Sequence, residues 1–176
     1  LHKKLIYQYR NFVCIGIKTR YFLRPAVEQF TTFAAGMLTL GTVKDNERAN
    51  EDLELAKQLT RTYSWSYCKF KSGIMPDYVL FNFKENINNK NQTKLVNSPH
   101  IKNLTKKNSS ENGNCEKIVD EDDVQIAPLR NMYHLRPETV ESIFWLWKFT
   151  GDKKYREMAW DIFLAINRTC RVKHVF

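Results

Sequence analysis

Apolar positions recur at helical spacing along four stretches of the chain. From Arg24 to Gly41, the side chains of Val27, Phe30, Phe33, Ala34, Met37 and Leu38 line one face. Pro25 suits a first helical position there and Gly41 can close the run. Between about Asn50 and Phe70, a second stripe is made by Leu53, Ala56, Leu59, Tyr63, Tyr67 and Phe70. It ends at SGIMPD, where Gly73 and Pro76 break any regular pattern. Pro137 opens a third run through Phe149, with Val140, Ile143, Phe144 and Trp147 turned inward. Gly151 stands where a C′ glycine belongs, and Asp152 where it would cap the next helix. That helix, about Lys153 to Arg171, buries Tyr155, Met158, Ala159, Ile162, Phe163 and Ile166. So short a connection predicts antiparallel neighbours. Trp145, Trp147 and Trp160 fall at helical spacing and read as core. Residues 1–24 are basic and aromatic, with alternation too irregular to assign. Every element the pattern defines is helical, so the predicted fold class is all-α.

Residues 84–121 change character: Asn, Lys and Ser dominate and large apolar groups are scarce. Such a segment cannot bury enough surface to offset its ordering entropy, which predicts a disordered surface insertion running on into the acidic DEDD at 120–123. The whole chain, 43% hydrophobic over 176 residues, supports one ordinary core. No run of 18 apolar residues could span a membrane, and no signal-peptide pattern follows Leu1.

The net charge of +9 comes from 28 Lys and Arg spread along the chain. No zinc-finger spacing, phosphate loop or RNP-type strand accompanies it, so the charge reads as surface composition and no nucleic-acid partner is predicted. Cys14, Cys68, Cys115 and Cys170 are far apart and form no CxxC pair, which leaves disulfide pairing open and gives no support to a cysteine metal site. Sequons at Asn91, Asn103, Asn108 and Asn167 add mild support for a secretory route.

Residues 133–142, YHLRPETVES, concentrate the candidate chemistry. With Pro137 at the head of a helix, Glu138 and Glu141 lie one turn apart, where the helix dipole favours their charged forms. Arg136 supplies a fixed positive charge and five donors suited to a polyhydroxylated or anionic ligand. A carboxylate held this way can activate water as a general base. The same residues also make an ordinary acidic first turn. Spacing alone leaves both readings open.

The stretch RNMYHLRPETVESIFWLWKFTGDKKYREMAWDIFLAINRTCRV resembles the class I α-mannosidases, glycoside hydrolase family 47. LRPETVES followed by TGDKKYRE is a specific match, and QFTTFAAGMLTLG, ELAKQLTRTYSWSYCKFKSGIMPDYVLFNF and DDVQIAP resemble further family segments. The match makes residues 1–176 a partial family 47 catalytic domain that covers well under half of a complete one. It implies an (α/α)7 barrel of antiparallel helix pairs that removes terminal α-1,2-linked mannose from high-mannose N-glycans with inversion. It also implies a calcium ion, the endoplasmic reticulum or Golgi lumen, and a membrane anchor upstream of this chain.

By motif, Glu138 matches the family's catalytic base, while Arg136, Pro137 and Glu141 line its sugar site. Glu141 would lie near calcium-bound waters. No direct metal ligand is expected in this chain; the family's threonine ligand belongs downstream of Phe176. Asp77 in GIMPD aligns with a further catalytic carboxylate, a glutamate in the family and one methylene longer. Gln29 stands at a sugar-site position where the family has histidine. Thr32 and Tyr63 occupy the positions of a family disulfide. The family's general acid and another aspartate belong upstream of Leu1, so this stretch alone is expected to be inactive. An alternative is a divergent, non-catalytic glycan-binding member.

Overall fold

The apolar pairs and runs near the N-terminus form strands. In a computed structural model that describes residues 5–9, 11–43, 47–83 and 124–172, β1 (Ile6–Tyr9) and β2 (Phe12–Ile15) make an antiparallel hairpin. The short β3 (Ile17–Lys18) and β4 (Leu23–Arg24) make a second. A three-stranded antiparallel sheet follows, with β6 (Tyr78–Phe83) between β5 (Ala26–Glu28) and β7 (Val124–Arg130). Pro128 lies on β7, an edge strand of that sheet, where its missing N–H is tolerated.

A 3-10 turn, Gln29–Thr32, leads from β5 into α1 (Phe33–Gly41). Three further helices are α2 (Ala49–Cys68), α3 (Glu138–Thr150) and α4 (Lys153–Cys170). α1 packs on both α2 and α3, and α3 packs on α4. Only Gly151 and Asp152 connect the last two. Gly151 takes the left-handed conformation (φ 69°) and its N–H donates to the Trp147 carbonyl, while Asp152 accepts from the Lys154 N–H at 3.0 Å. Both caps agree with the spacing of the sequence. Hydrogen bonding to that N–H holds the Asp152 carboxyl below its ordinary pKa.

The all-helical expectation is corrected by these strands. IYQY, FVCI and YVLFNF are short runs rich in aromatic and β-branched residues, and such runs pack best on a pleated surface. The first helix also begins at Phe33, not near Pro25, because β5 and the 3-10 turn occupy residues 26–32. The predicted insertion at 84–121 lies outside the described residues.

The core joins Phe12, Val13, Leu59, Tyr63, Trp65, Met75, Phe81 and Phe83 to Ile143, Leu146, Tyr155 and Ile162. Several positions expected inward face out instead. Phe30, Met37, Phe144, Trp160 and Phe163 are substantially exposed, with Leu164 beside them on α4. The buried stripe of α4 is narrower than its apolar pattern and runs through Tyr155, Ile162 and Ala165. Cys14, Cys68 and Cys170 carry thiols, and burial pushes that of Cys14 well up; Cys115 lies outside the described residues. No helix among the described residues is long and apolar enough to cross a membrane.

Candidate active site

Three chain segments converge at one end of the β5-β6-β7 sheet, where Glu28, Tyr78 and Arg130 are neighbours in register. The residues that continue past this edge are Gln29, Asp77 (reading backward from β6) and the strap 131–137. Backbone bonds tie them together: Gln29 N–H donates to the Asp77 carbonyl at 2.7 Å, and Asp77 N–H donates to the Met132 carbonyl at 2.8 Å. The sheet thereby places a carboxylate under the strap that leads to α3.

Asp77 is 2% exposed. Its Oδ1 accepts from Arg136 Nε at 2.9 Å, and its Oδ2 lies 3.9 Å from both Arg130 Nη1 and His134 Nε2. A carboxylate this deep would be costly alone, and the arginine supplies the compensating charge and a directional bond. Leu135 sits between His134 and Arg136 at φ 52°, the single non-glycine residue with positive φ among those described. This reversal costs of order 1–3 kcal/mol, and it turns Arg136 in toward Asp77 while Leu135 faces solvent.

Arg136 in turn stacks over Phe30 and brings Nη1 to 4.0 Å from Glu138 Oε1, too long for a hydrogen bond. Glu138 is the first residue of α3, its side chain 15% exposed. Its Oε2 is buried and has no hydrogen-bond partner among the described residues. Pro137 is exposed at the N-cap, and Glu141, one turn on, faces solvent.

Behind this helix head lies a cluster of hydroxyls. Gln29, fully buried, donates through Nε2 to the Tyr67 hydroxyl at 2.6 Å, while its Oε1 has no partner. Tyr67 donates to Thr139 Oγ1 at 3.4 Å, Thr139 meets Thr32 Oγ1 at 2.9 Å, and Thr32 donates to the Gln29 carbonyl at 2.6 Å. Ser142 extends the contact between helices, donating to the Thr32 carbonyl and accepting from the Gly36 N–H. Burial raises the Tyr67 phenol above its ordinary pKa against hydrogen bonds to Thr139, Gln29 and Tyr133 that lower it; Glu138 adds a smaller upward push. Tyr133 is raised by burial and by its contact with Tyr67. Both phenols remain protonated at neutral pH.

The structure thus gathers Asp77, Arg136 and Glu138 at one place, sets Gln29 behind them and leaves Pro137 and Glu141 on the outer rim. Thr32, Tyr67, Tyr133 and Thr139 are not among the residues singled out for the site from sequence. One signal marks Tyr67 and Thr139: hydroxyl groups on otherwise apolar helix faces need partners inside the protein. Thr32 and Tyr63, at the positions of the family's disulfide, hydrogen-bond separately, Tyr63 accepting from the Ile15 N–H at 3.4 Å. Among the described residues no group of three or more His, Cys, Asp or Glu side chains is placed to hold a metal ion.

A half-buried carboxylate with an undonated oxygen, next to an arginine locked by a second carboxylate, has the construction of an acid–base site. A family model for glycosyl hydrolase family 47 matches residues 2–176, and the chain belongs to that family. It is 30% identical over 161 residues to mannosyl-oligosaccharide 1,2-alpha-mannosidase MNS3 of Arabidopsis thaliana, covering 85% of this chain and 23% of that protein. It is 27% identical over 146 residues to the human endoplasmic reticulum mannosyl-oligosaccharide 1,2-alpha-mannosidase, covering 83% of this chain and 16% of that protein. An alpha-1,2-mannosidase from Trichoderma reesei shares the fold with a TM-score of 0.67 at 19% identity, over 96% of this chain and 31% of that one. The chain therefore spans less than a third of the length of these relatives.

Proposed function

We propose that the complete protein carrying this sequence hydrolyses terminal α-1,2-linked mannose from high-mannose N-glycans with inversion. The observation that carries the reading is Glu138 itself: a helix-head carboxylate whose buried Oε2 has no donor, beside Arg136 fixed by Asp77. In this reading Glu138 takes a proton from a water that attacks the anomeric carbon. A carboxylic acid on another part of the protein protonates the departing oxygen. Inversion requires the two carboxyl groups to stand roughly 6.5–9.5 Å apart, with room for that water. Glu141, one turn away on the same helix and facing solvent, is therefore not the acid.

Arg136 orients sugar hydroxyls with the donors that Asp77 leaves unused. The (α/α)7 barrel is part of the proposal, supported by the apolar faces that α1 and α4 leave exposed. So is calcium, which would order sugar hydroxyls; its direct ligands come from outside the described residues, with Glu141 reaching it through water. The lumen of the endoplasmic reticulum or Golgi, reached through an upstream anchor, is the proposed location.

A non-catalytic glycan-binding role is the second reading, favoured by Asp77 being engaged with Arg136 and by Gln29 being unable to carry a proton. Mannose release from a Man9-type glycan by the complete protein separates the two. Hydrolysis that falls by about 10²–10⁴ in Glu138→Gln supports the enzyme. Binding without release by the folded wild-type protein would establish the second reading.

A further inference from the structure

The positive charge of the chain is concentrated at one end. Residues 1–27 hold six Lys and Arg and no Asp or Glu, so they carry +6 of the net +9. Within the described part of this stretch, the β3-β4 hairpin turns through Arg20 and Tyr21. Thr19 braces the turn. Its N–H and its hydroxyl both donate to the Phe22 carbonyl at 2.9 Å, and the same hydroxyl accepts from the Phe22 N–H at 3.2 Å. The side chains at the tip are therefore held in place before any partner arrives. Tyr21 is 82% exposed and Phe22 43%. Lys18 and Arg20 beside them are exposed and have no carboxylate partner among the described residues. Arg20 lies over the Tyr21 ring, its Cζ 5.7 Å from the centroid.

Two rings and two uncompensated cations on one braced turn match the two attractions of a charged bilayer. Lys and Arg are drawn to anionic headgroups. A tyrosine gains at the boundary between headgroups and acyl chains, where its ring leaves water and its hydroxyl stays wet. Phe22 has no polar tip at all and gains only where it leaves water. An acidic polypeptide in extended form would use the cations and leave that ring hydrated. We propose that the β3-β4 tip, Lys18 to Phe22, docks on the surface of an anionic membrane. The contact lies in the interface and spans nothing. Because the turn is already ordered, little conformational freedom is lost on docking. The tip shares no residue with the Glu138 site, so the proposal stands apart from the catalytic reading.

The test places a reporter at the tip of the complete protein. Tyr21→Trp keeps an amphipathic ring and adds a fluorophore, with the unsubstituted protein as background. Vesicles of phosphatidylcholine and phosphatidylserine with brominated acyl chains should quench the added emission, and brominated phosphatidylcholine alone should quench it far less. The quenching is local to the tip, so it reads the same whether or not another segment also holds the bilayer. Titration with the mixed vesicles gives an apparent affinity. On the Tyr21→Trp background, Lys18→Gln/Arg20→Gln should weaken it by about 25-fold, about fivefold per charge. The charge-keeping pair Lys18→Arg/Arg20→Lys should bind as the parent does. Phe22→Ser should weaken it by about tenfold. Emission that is unquenched by the mixed vesicles, or quenched equally by both compositions, overturns the proposal. So does emission already shifted to the blue before lipid is added, which would mean that the rest of the protein covers the tip. A response to polyglutamate or to single-stranded DNA without one to the mixed vesicles would identify a different acidic partner and overturn it as well.

Discussion

Two buried regions share α2 and are held by different physics. Toward β2 and β6 the region is aromatic: Phe12 meets Phe81 edge-on at 4.6 Å and Phe83 at 5.1 Å, with the Trp65 ring 6.2 Å away. Toward the 3-10 turn and α3 it is made of hydroxyls and one amide. Depth does not distinguish them, since Phe12 and Thr139 are both fully buried and Tyr67 is 2% exposed. Direction does. Ring packing depends on area and shape and is indifferent to proton positions, whereas each hydroxyl has one proton to give and its use constrains the next. Only in the second region, then, does the chemistry of a substitution matter as much as its volume.

Substitutions that separate shape from chemistry should act oppositely in the two regions. Phe12→Ala empties a fully buried site and should cost about 3–5 kcal/mol, while Phe12→Leu, which keeps most of the apolar volume, should cost far less. Thr139→Val conserves volume yet leaves the Tyr67 proton and the Thr32 oxygen unpaired, for about 1–3 kcal/mol. Thr139→Ser, the smaller but hydroxylated change, should cost less than valine. Denaturant midpoints of the complete protein read all four. If Thr139→Val proves as mild as Phe12→Leu, the hydroxyl region is ordinary packing and the contrast fails.

How much of this was legible in the sequence follows from how local each signal is. The bounds of α2, α3 and α4, the left-handed Gly151 and the Asp152 cap all depend on residues a few positions apart, and the expected and observed elements agree closely. The pairing of β6 with β7 spans residues 84–123, and no local pattern announces a partner so far along the chain. β5 was hidden for another reason. Val27 also fits helical spacing with Phe30 and Ala34, so two periods competed over three residues. At the site, the motif residues Arg136 and Glu138 were evident as a unit, and Asp77 joins them through a sheet edge invisible in sequence. The hydroxyl cluster was least legible, because Tyr67 reads as an apolar stripe residue until its hydroxyl is seen to meet Gln29 and Thr139.

A third substitution probes the seam between the two ends of the molecule. Gly73, at φ +72°, stands in the turn after α2, and a Cβ there would lie 2.8 Å from the Ala165 Cβ on α4. Arg168 and Thr169 of α4 also donate to the Ser72 carbonyl, so the turn cannot easily move away. Gly73→Ala combines left-handed strain with a clash and should cost about 2 kcal/mol, read as a lowered thermal midpoint. Ala165→Gly made alongside it should return the part due to the clash and leave the part due to φ.

The smallest effect is also the one that compares the regions most directly, because each holds a buried tyrosine on α2. Burial is the main cause that raises both the Tyr63 and the Tyr67 phenols above the ordinary value near 10. A raised folded-state pKa means that the unfolded chain loses its proton first. The stability is then complete below about pH 10 and declines as pH rises toward the folded-state value, by about 1.4 kcal/mol per pH unit for each such phenol. Tyr63→Phe should remove one phenol's share of that decline. Tyr67→Phe should remove more, because Tyr133 is itself held up partly by its hydrogen bond and proximity to Tyr67. Stability measured between pH 9 and 11 gives the two slopes. Equal flattening would mean that Tyr133 titrates independently of Tyr67, and the hydroxyl region would then be a set of separate contacts and not a connected chain of donors.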